Sequence, residues 1–285
     1  MIVKRAEVLG RCMGVRRAVD LAMATADSDP SRPVYTLGPL IHNPQAVAEL
    51  EARGVIALAS SDIDERVRGK SVVIRAHGVP PLLRSRLEEL GARVVDATCP
   101  RVIASQRKAR DYAAKGWKVI IAGDRDHGEV AGIAGYASAG WAVVGSSAEA
   151  EALELEGKAV VIAQTTIKTE EYKAICEVIA RRFQAVELVD SICPATEDRQ
   201  RALGRLAAET DALVVVGGRN SANTSRLFTT ALALGKPAWH VETAAELPEE
   251  VFAYTRVGVT AGASTPESLV AEVEAALVSR GAAAT

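Results

Sequence analysis

Histidine and cysteine are scarce in this chain, four of each among 285 residues, and aromatic residues make up only 4% of it. So few aromatics argue against a platform on which nucleic-acid bases stack. A charge signature is missing as well. The 34 lysines and arginines against 36 aspartates and glutamates leave a formal net charge of −2, with no basic footprint for nucleic acid or a membrane surface. No apolar run approaches the roughly 18 residues that a membrane span requires. Met1-Ile2-Val3 runs directly into a strand pattern that does not resemble a signal or transit peptide, so none is expected. Four unclustered cysteines do not make a disulfide framework, so the expected compartment is the reducing cytoplasm, where cysteines serve metals or catalysis.

What is present is ample core material, 48% hydrophobic residues, in a chain long enough for two or three domains. Short β-branched runs alternate with helix-period stretches along almost the whole length. That alternation predicts an α/β fold of parallel sheets with crossover helices. Residues 15–26 form one such helix, with Val15, Ala18, Val19, Ala22 and Met23 on one face.

Three of the cysteines fall at matching places. Cys12, Cys99 and Cys193 each close a strand-like run (3–9, 94–98 and 186–192) and open a helical one. Their nearly equal spacings, each close to a third of the chain, suggest three similar units that each present one thiolate from a strand's carboxyl end. The expected lobes are 13–98, 99–192 and 193–280, with the first strand, 2–9, completing the last sheet and 281–285 a frayed tail. Thiolates meeting at a point repel unless a cation holds them, and their softness suits iron–sulfur clusters, copper(I) or zinc. A cubane cluster usually takes four cysteines, so three leave one iron open. The plainer alternative, unconnected buried cysteines, is the one that fits Cys176, which lies mid-helix among Ala174, Ile175, Val178 and Ile179.

Other strand ends carry polar groups. The strand at 34–37 leads to His42 and Asn43, where Asn43 caps a helix and Pro44 fits its first position. Strands at 71–76 and 119–123 lead to His77 and to His127-Gly128-Glu129, whereas His240 lies inside a strand and reads as structural. The strand at 159–163 ends in Gln164-Thr165-Thr166, whose hydroxyls are expected to cap the next helix. Strands at 213–216 and 257–260 end in loops holding Ser221, Asn223 and Ser264, neither loop being a Walker or Rossmann fingerprint. In open α/β sheets ligands gather beyond the carboxyl ends of strands. The set collected there is three thiols, three histidines, a glutamate and neutral hydroxyls and amides, with no lysine or arginine dominating. It suits a compact anion held by hydrogen bonds, the histidines adding adjustable charge.

Taken together the motifs resemble the 4-hydroxy-3-methylbut-2-enyl diphosphate reductase family. The resemblance rests on Gly10-Arg11-Cys12-Met13-Gly14-Val15, Ile41-His42-Asn43, Ala76-His77-Gly78-Val79, Asp96-Ala97-Thr98-Cys99-Pro100 and His127-Gly128-Glu129-Val130. It continues through Gln164-Thr165-Thr166, the Cys193 segment with Arg199-Gln200, Asn220-Ser221-Ala222-Asn223-Thr224 and Thr260-Ala261-Gly262-Ala263-Ser264. It implies three similar α/β lobes arranged with pseudo-threefold symmetry around a central 4Fe-4S cluster bound by Cys12, Cys99 and Cys193, with one open iron. It also implies a diphosphate held by His42, His77, His127, Ser221, Asn223 and Ser264, with Glu129, Thr165 and His127 at the chemistry. The implied reaction is reductive dehydroxylation of an allylic diphosphate, the last step of the methylerythritol phosphate route to isoprenoids, with a ferredoxin or flavodoxin as electron donor.

The chain departs from the family pattern at Gly128, where proline is usual, at Arg11 beside the first cysteine, where an aromatic is typical, and at Ala222, where serine is common. A looser backbone before Glu129 is the expected effect of the first. Competing readings are another open-iron enzyme such as a hydro-lyase or a quinolinate-synthase-like protein, a non-catalytic cluster-bearing redox sensor, and a metal-free α/β binding protein. The histidine, serine and asparagine set favours a diphosphate over a dicarboxylate, which would more naturally meet arginine forks.

Overall fold

A computed structural model describes residues 1–154, 156–183 and 185–283. After β1 (Ile2–Arg5), the strands fall into sequential groups: β2 (Val34–Leu37), β3 (Val55–Leu58), β4 (Ser71–Ile74) and β5 (Arg93–Asp96); then β6 (Lys118–Ala122), β7 (Trp141–Val144), β8 (Ala159–Ala163) and β9 (Val186–Val189); then β10 (Ala212–Val216), β11 (Ala238–Val241) and β12 (Arg256–Ala261). The helices are α1 (Met13–Ser28), α2 (Pro44–Ala52), α3 (Pro81–Glu89), α4 (Pro100–Ala113), α5 (Gly128–Ala134), α6 (Ser147–Glu151), α7 (Thr169–Arg182), α8 (Pro194–Glu209), α9 (Ala222–Ala233) and α10 (Glu267–Ala283).

All pairings in the three four-stranded sheets are parallel, and the sheets share one topology. The orders are β3-β2-β4-β5, β7-β6-β8-β9 and β11-β10-β12-β1. Strand β1 therefore stands in the third sheet where β5 and β9 stand in theirs, with Val3 opposite Val257. The chain divides into two compact units: one comprises Met1–Arg16, Ile41–Glu49 and the residues from Pro194 onward, the other Arg17–Leu40 and Leu50–Cys193. The second unit thus holds two of the sheets, the first holds one.

The sheets form because their inner strands are near-continuous Val, Ile and Ala runs with both faces covered, the pattern parallel sheets require. Strands β4, β8 and β10 are buried at every position. One face of the second sheet packs Ile120, Val161, Ile175 and Ile179, and the other Val119, Ile121, Ile133 and Val160. At about 1.5–3 kcal/mol for each fully buried Val, Ile or Leu side chain, these layers fix the strand ends where polar loops emerge.

Boundaries differ from the sequence expectation where side chains intervene. The three cysteine-bearing edge strands are shorter than their apolar runs: β1 stops at Arg5, β5 at Asp96 and β9 at Val189. In the last two cases an aspartate turns the chain out of the sheet. Helix α7 starts at Thr169 after Lys168 with no side-chain cap, so Thr165 and Thr166 do not cap it. The tail expected to fray from 281 is still helical through Ala283, and its last two residues lie outside the described ones. No helix among the described residues is long and apolar enough to cross a membrane.

Candidate active site

Each of the three cysteines is seated by the same contact. The Cys99 N–H donates to the Ala76 carbonyl at 2.9 Å, the Cys193 N–H to the Thr165 carbonyl at 2.9 Å and the Cys12 N–H to the Ala263 carbonyl at 3.1 Å. Each acceptor ends or follows the strand next to the edge strand, β4, β8 or β12, and each is Thr165 itself or directly precedes His77 or Ser264. Topologically equivalent loops therefore carry one thiol and one polar group apiece, side by side.

Two of the cysteine loops are bent by an identical local device. Asp96 Oδ1 accepts from the Thr98 N–H at 2.9 Å, and Asp190 Oδ1 from the Ile192 N–H at 3.2 Å. An aspartate that bonds its own backbone two residues on offers an alternative to the sheet ladder, which ends the strand one turn before the cysteine. The Cys12 loop is held differently. Gly10 adopts φ 71°, a conformation only glycine takes cheaply, and its carbonyl accepts from Arg199 Nη2 at 2.5 Å. Arg199, on α8, is 3% exposed and also donates to the Ala195 carbonyl at 2.8 Å.

Within the second unit a polar chain links these loops. The His77 and His127 rings meet edge to face with centroids 5.0 Å apart. His127 caps α5: its Nδ1 accepts from the Glu129 N–H at 3.2 Å. A neutral ring accepting at Nδ1 carries its proton on Nε2. Glu129, 1% exposed, accepts at Oε1 from the Thr165 N–H and at Oε2 from the Thr165 hydroxyl, both at 2.7 Å. The Thr165 carbonyl then holds Cys193. His77, Cys99, His127, Glu129, Thr165 and Cys193 thus form one connected set. Beside Gly128, the His127 cap holds the Glu129 N–H through Nδ1.

The first unit gathers the remaining predicted residues. Asn43 caps α2, its Oδ1 accepting from the Ala46 N–H at 2.9 Å, which fixes His42 at the helix entrance. The Ser264 hydroxyl donates to the His42 carbonyl at 3.2 Å and lies 3.5 Å from the Ser221 hydroxyl. Ser221 caps α9 by accepting from the Thr224 N–H at 3.4 Å. Asn223 Oδ1 accepts from the Ala263 N–H at 2.9 Å, which leaves its amide NH2 as the group for other partners. Arg11 approaches Glu49 to 3.9 Å, so its charge is partly offset.

Outside these sets, the other residues take structural places. Cys176 is buried beside Tyr172, and burial pushes both the thiol and the phenol up in pKa. His240 in β11 places Nε2 2.8 Å from the Gly217 carbonyl and stacks at a tilt against Phe228. Cys12, Cys99 and Cys193 are only half-buried, whereas Cys176 is buried. Residue reading missed the turn-forming role of Asp96 and Asp190 and the half-buried placement of Arg75 beside Gly128. The first was available as a repeated signal, an aspartate three residues before the cysteine in both loops.

Three parallel sheets of one topology, with thiols, imidazoles and hydroxyls at their equivalent strand ends, define an α/β protein whose strand-end loops carry cysteine, histidine and hydroxyl side chains. Residues 3–278 match the family model described as "LytB protein". The 4-hydroxy-3-methylbut-2-enyl diphosphate reductase of Treponema denticola is 49% identical over 98% of this chain and 99% of its own length. The enzyme of that name from an Anaeromyxobacter species is 43% identical over 96% and 98%. Among solved structures, the Plasmodium falciparum E-1-hydroxy-2-methyl-but-2-enyl-4-diphosphate reductase superposes with a TM-score of 0.90 at 25% identity, covering 96% of this chain and 87% of the other. A second, titled as the terminal enzyme of the non-mevalonate pathway, gives 0.69 at 37% identity over 98% and 100%. The chain belongs to the LytB family.

Proposed function

We propose that this protein reductively removes the hydroxyl group of 4-hydroxy-3-methylbut-2-enyl diphosphate, giving isopentenyl and dimethylallyl diphosphate in the terminal step of the non-mevalonate pathway. The step consumes two electrons and two protons and releases the hydroxyl oxygen as water. The observation that carries this reading is the buried Glu129–Thr165 couple, joined through Cys193 on one side and His127 on the other.

Cys12, Cys99 and Cys193 fit an iron–sulfur cluster, because three half-buried thiols are each seated by the same backbone contact and thiolate is the ligand such clusters take. We assign them a single 4Fe-4S cluster. When bound, such a cluster supplies electrons one at a time and, at an iron without a cysteine, a Lewis acid. A ferredoxin or flavodoxin is the electron donor we assign.

The chain's own residues do the remaining work. His42, His77 and His127 meet the diphosphate with ring N–H groups, and Ser221 and Asn223 with a hydroxyl and an amide whose acceptor sides are already occupied. Ser264 exchanges the His42 carbonyl for a phosphoryl oxygen. Hydroxide is a poor leaving group, so the substrate oxygen must be protonated as its bond to carbon breaks. Thr165 hands it the hydroxyl proton and regains one from Glu129. Both residues are shielded, at 7% and 1% exposure, so bulk water does not short-circuit the transfer.

Anaerobic turnover of the hydroxylated allylic diphosphate with a chemical reductant tests the reading. Brown protein absorbing near about 400 nm and both isomeric diphosphates by mass spectrometry are expected. A reconstituted protein that stays colourless, or a coloured one that leaves the substrate hydroxyl in place, contradicts it.

A further inference from the structure

Arg75 follows β4, two residues before His77. Its guanidinium occupies space left by two glycines of the same unit. A Cβ at Gly38 would stand 2.9 Å from Nη1, and a Cβ at Gly128 would overlap Nη2 outright. Gly128 lies between His127 and Glu129, so the Arg75 fork touches the backbone that joins the diphosphate histidine to the proton-carrying acid.

The guanidinium has no partner that accounts for its position. Among the described residues no carboxylate pairs with it and no group accepts from it, and Nε is buried without a hydrogen bond. Burial is the one influence on its basicity, lowering it, with no acid to offset that. A half-buried cation without an anion is costly. A neutral side chain of similar length would fill the glycine gap without that cost. Guanidinium, in contrast, remains charged at every working pH and matches phosphoryl oxygens with a planar fork.

We propose that Arg75 is a fixed cation of the diphosphate end of the substrate site, the ligand's phosphoryl oxygens supplying the charge that the protein withholds. This rests on the reading of His77 and His127 as diphosphate residues. The three imidazoles contribute a charge that depends on their protonation, and Arg75 one that does not. The glycine at 128 then has a function: it admits the Arg75 fork, which a Cβ there would displace.

The test measures inorganic pyrophosphate binding to the reconstituted holoenzyme by calorimetry, together with steady-state kinetics, for Arg75→Met and Arg75→Lys. Arg75→Met keeps the bulk and removes the charge. It should weaken pyrophosphate about tenfold and raise KM by a similar factor while kcat stays within about twofold, and Arg75→Lys should recover most of the loss. The gap between wild type and Arg75→Met should narrow as salt is raised. Asn223→Ala and His127→Gln serve as controls. If they weaken pyrophosphate and Arg75→Met does not, Arg75 is a neutral wedge and the proposal fails while the site reading stands. If none of the three matters, the site reading itself fails. Equal losses in Arg75→Met and Arg75→Lys also overturn the proposal, because charge would then be irrelevant.

Discussion

Thr165 engages both oxygens of the Glu129 carboxylate, its backbone N–H on Oε1 and its hydroxyl on Oε2, each at 2.7 Å. With Glu129 ionised the hydroxyl points at the acid. With Glu129 protonated the Oε2–H must become the donor, and the threonine proton swings free toward another acceptor. In the proposed relay, a proton that leaves Glu129 through Oε2 passes to the Thr165 oxygen. The proposed relay makes the carboxyl the reservoir and the hydroxyl the outlet.

Glu129→Gln keeps the shape and an oxygen for one of the two threonine donors but has no proton to release. Turnover should fall about 10²- to 10⁴-fold, the range for loss of a general acid, while pyrophosphate affinity changes little. Single-turnover experiments with pre-reduced enzyme separate this from slow electron delivery. Undiminished turnover removes Glu129 from the proton path.

Thr165 offers a sharper comparison. Thr165→Ser retains the hydroxyl and the backbone N–H and should keep activity within about tenfold of wild type, whereas isosteric Thr165→Val should lose as much as Glu129→Gln. The double variant Glu129→Gln with Thr165→Val should be little worse than either alone, since residues acting in one relay are not additive. Additive losses measured under single turnover would place the two residues in separate roles.

The cysteines sort by their surroundings. Cys12→Ser, Cys99→Ser and Cys193→Ser should each lower the iron and sulfide retained after anaerobic reconstitution, whereas Cys176→Ser should keep both. Cys176 is buried among Tyr172, Ile175 and Ile179, so its replacement acts on stability, costing about 1 kcal/mol in urea unfolding. Iron contents that are alike across all four variants refute the assignment.

Much of this was readable in the sequence, and the failures have physical causes. Cys176 separated from its three fellows because an apolar mid-helix setting is a local property. The sheets were legible for the same reason: β4, β8 and β10 are Val-rich runs buried at every position. The strand ends were overrun because Thr98 and Ile192 are β-branched and look like strand, while the aspartates at 96 and 190 bend the chain through side-chain bonds that outweigh propensity. Thr165 read as a helix cap because a cap is a local partner, yet its partner Glu129 lies 36 residues away. Arg75 was invisible because the space it fills is made by glycines at 38 and 128, from segments distant in sequence.

The aspartate turns carry a prediction of their own. Asp96→Ala and Asp190→Ala remove the acceptors for the Thr98 and Ile192 amides and free the cysteine loops to re-enter the strand. Each should cost about 1 kcal/mol and speed iron loss to a chelator. Asp96→Asn and Asp190→Asn, which keep Oδ1, should lose iron at nearly the wild-type rate. Asp96 also pairs with Arg84 at 3.0 Å, so its asparagine variant separates the turn from that ion pair. Chelator rates that track charge rather than the Oδ1 acceptor would assign the effect to Arg84.

A buried aspartate elsewhere in the fold is expected to set the acid limb of stability. Asp29, 8% exposed, is held well below the usual carboxylate range, first by the Ser71 side chain, then by the Ser31 hydroxyl and amide, and by Arg93 Nη2 at 2.6 Å from Oδ1. Its folded pKa is depressed below the unfolded value of about 3.9, so its contribution is fully present above that pH and is lost as the pH falls toward the folded value. Asp29→Asn should therefore be less stable than wild type at pH 7 by about 1–3 kcal/mol, the span for hydrogen bonds to a charged group. The gap should close progressively below about pH 4, because protonation of wild type then removes the same charge. Urea midpoints at pH 7, 4 and 3 measure it, and two curves that stay parallel down to pH 3 would show that the Ser31–Asp29–Arg93 cluster does not set the acid limb.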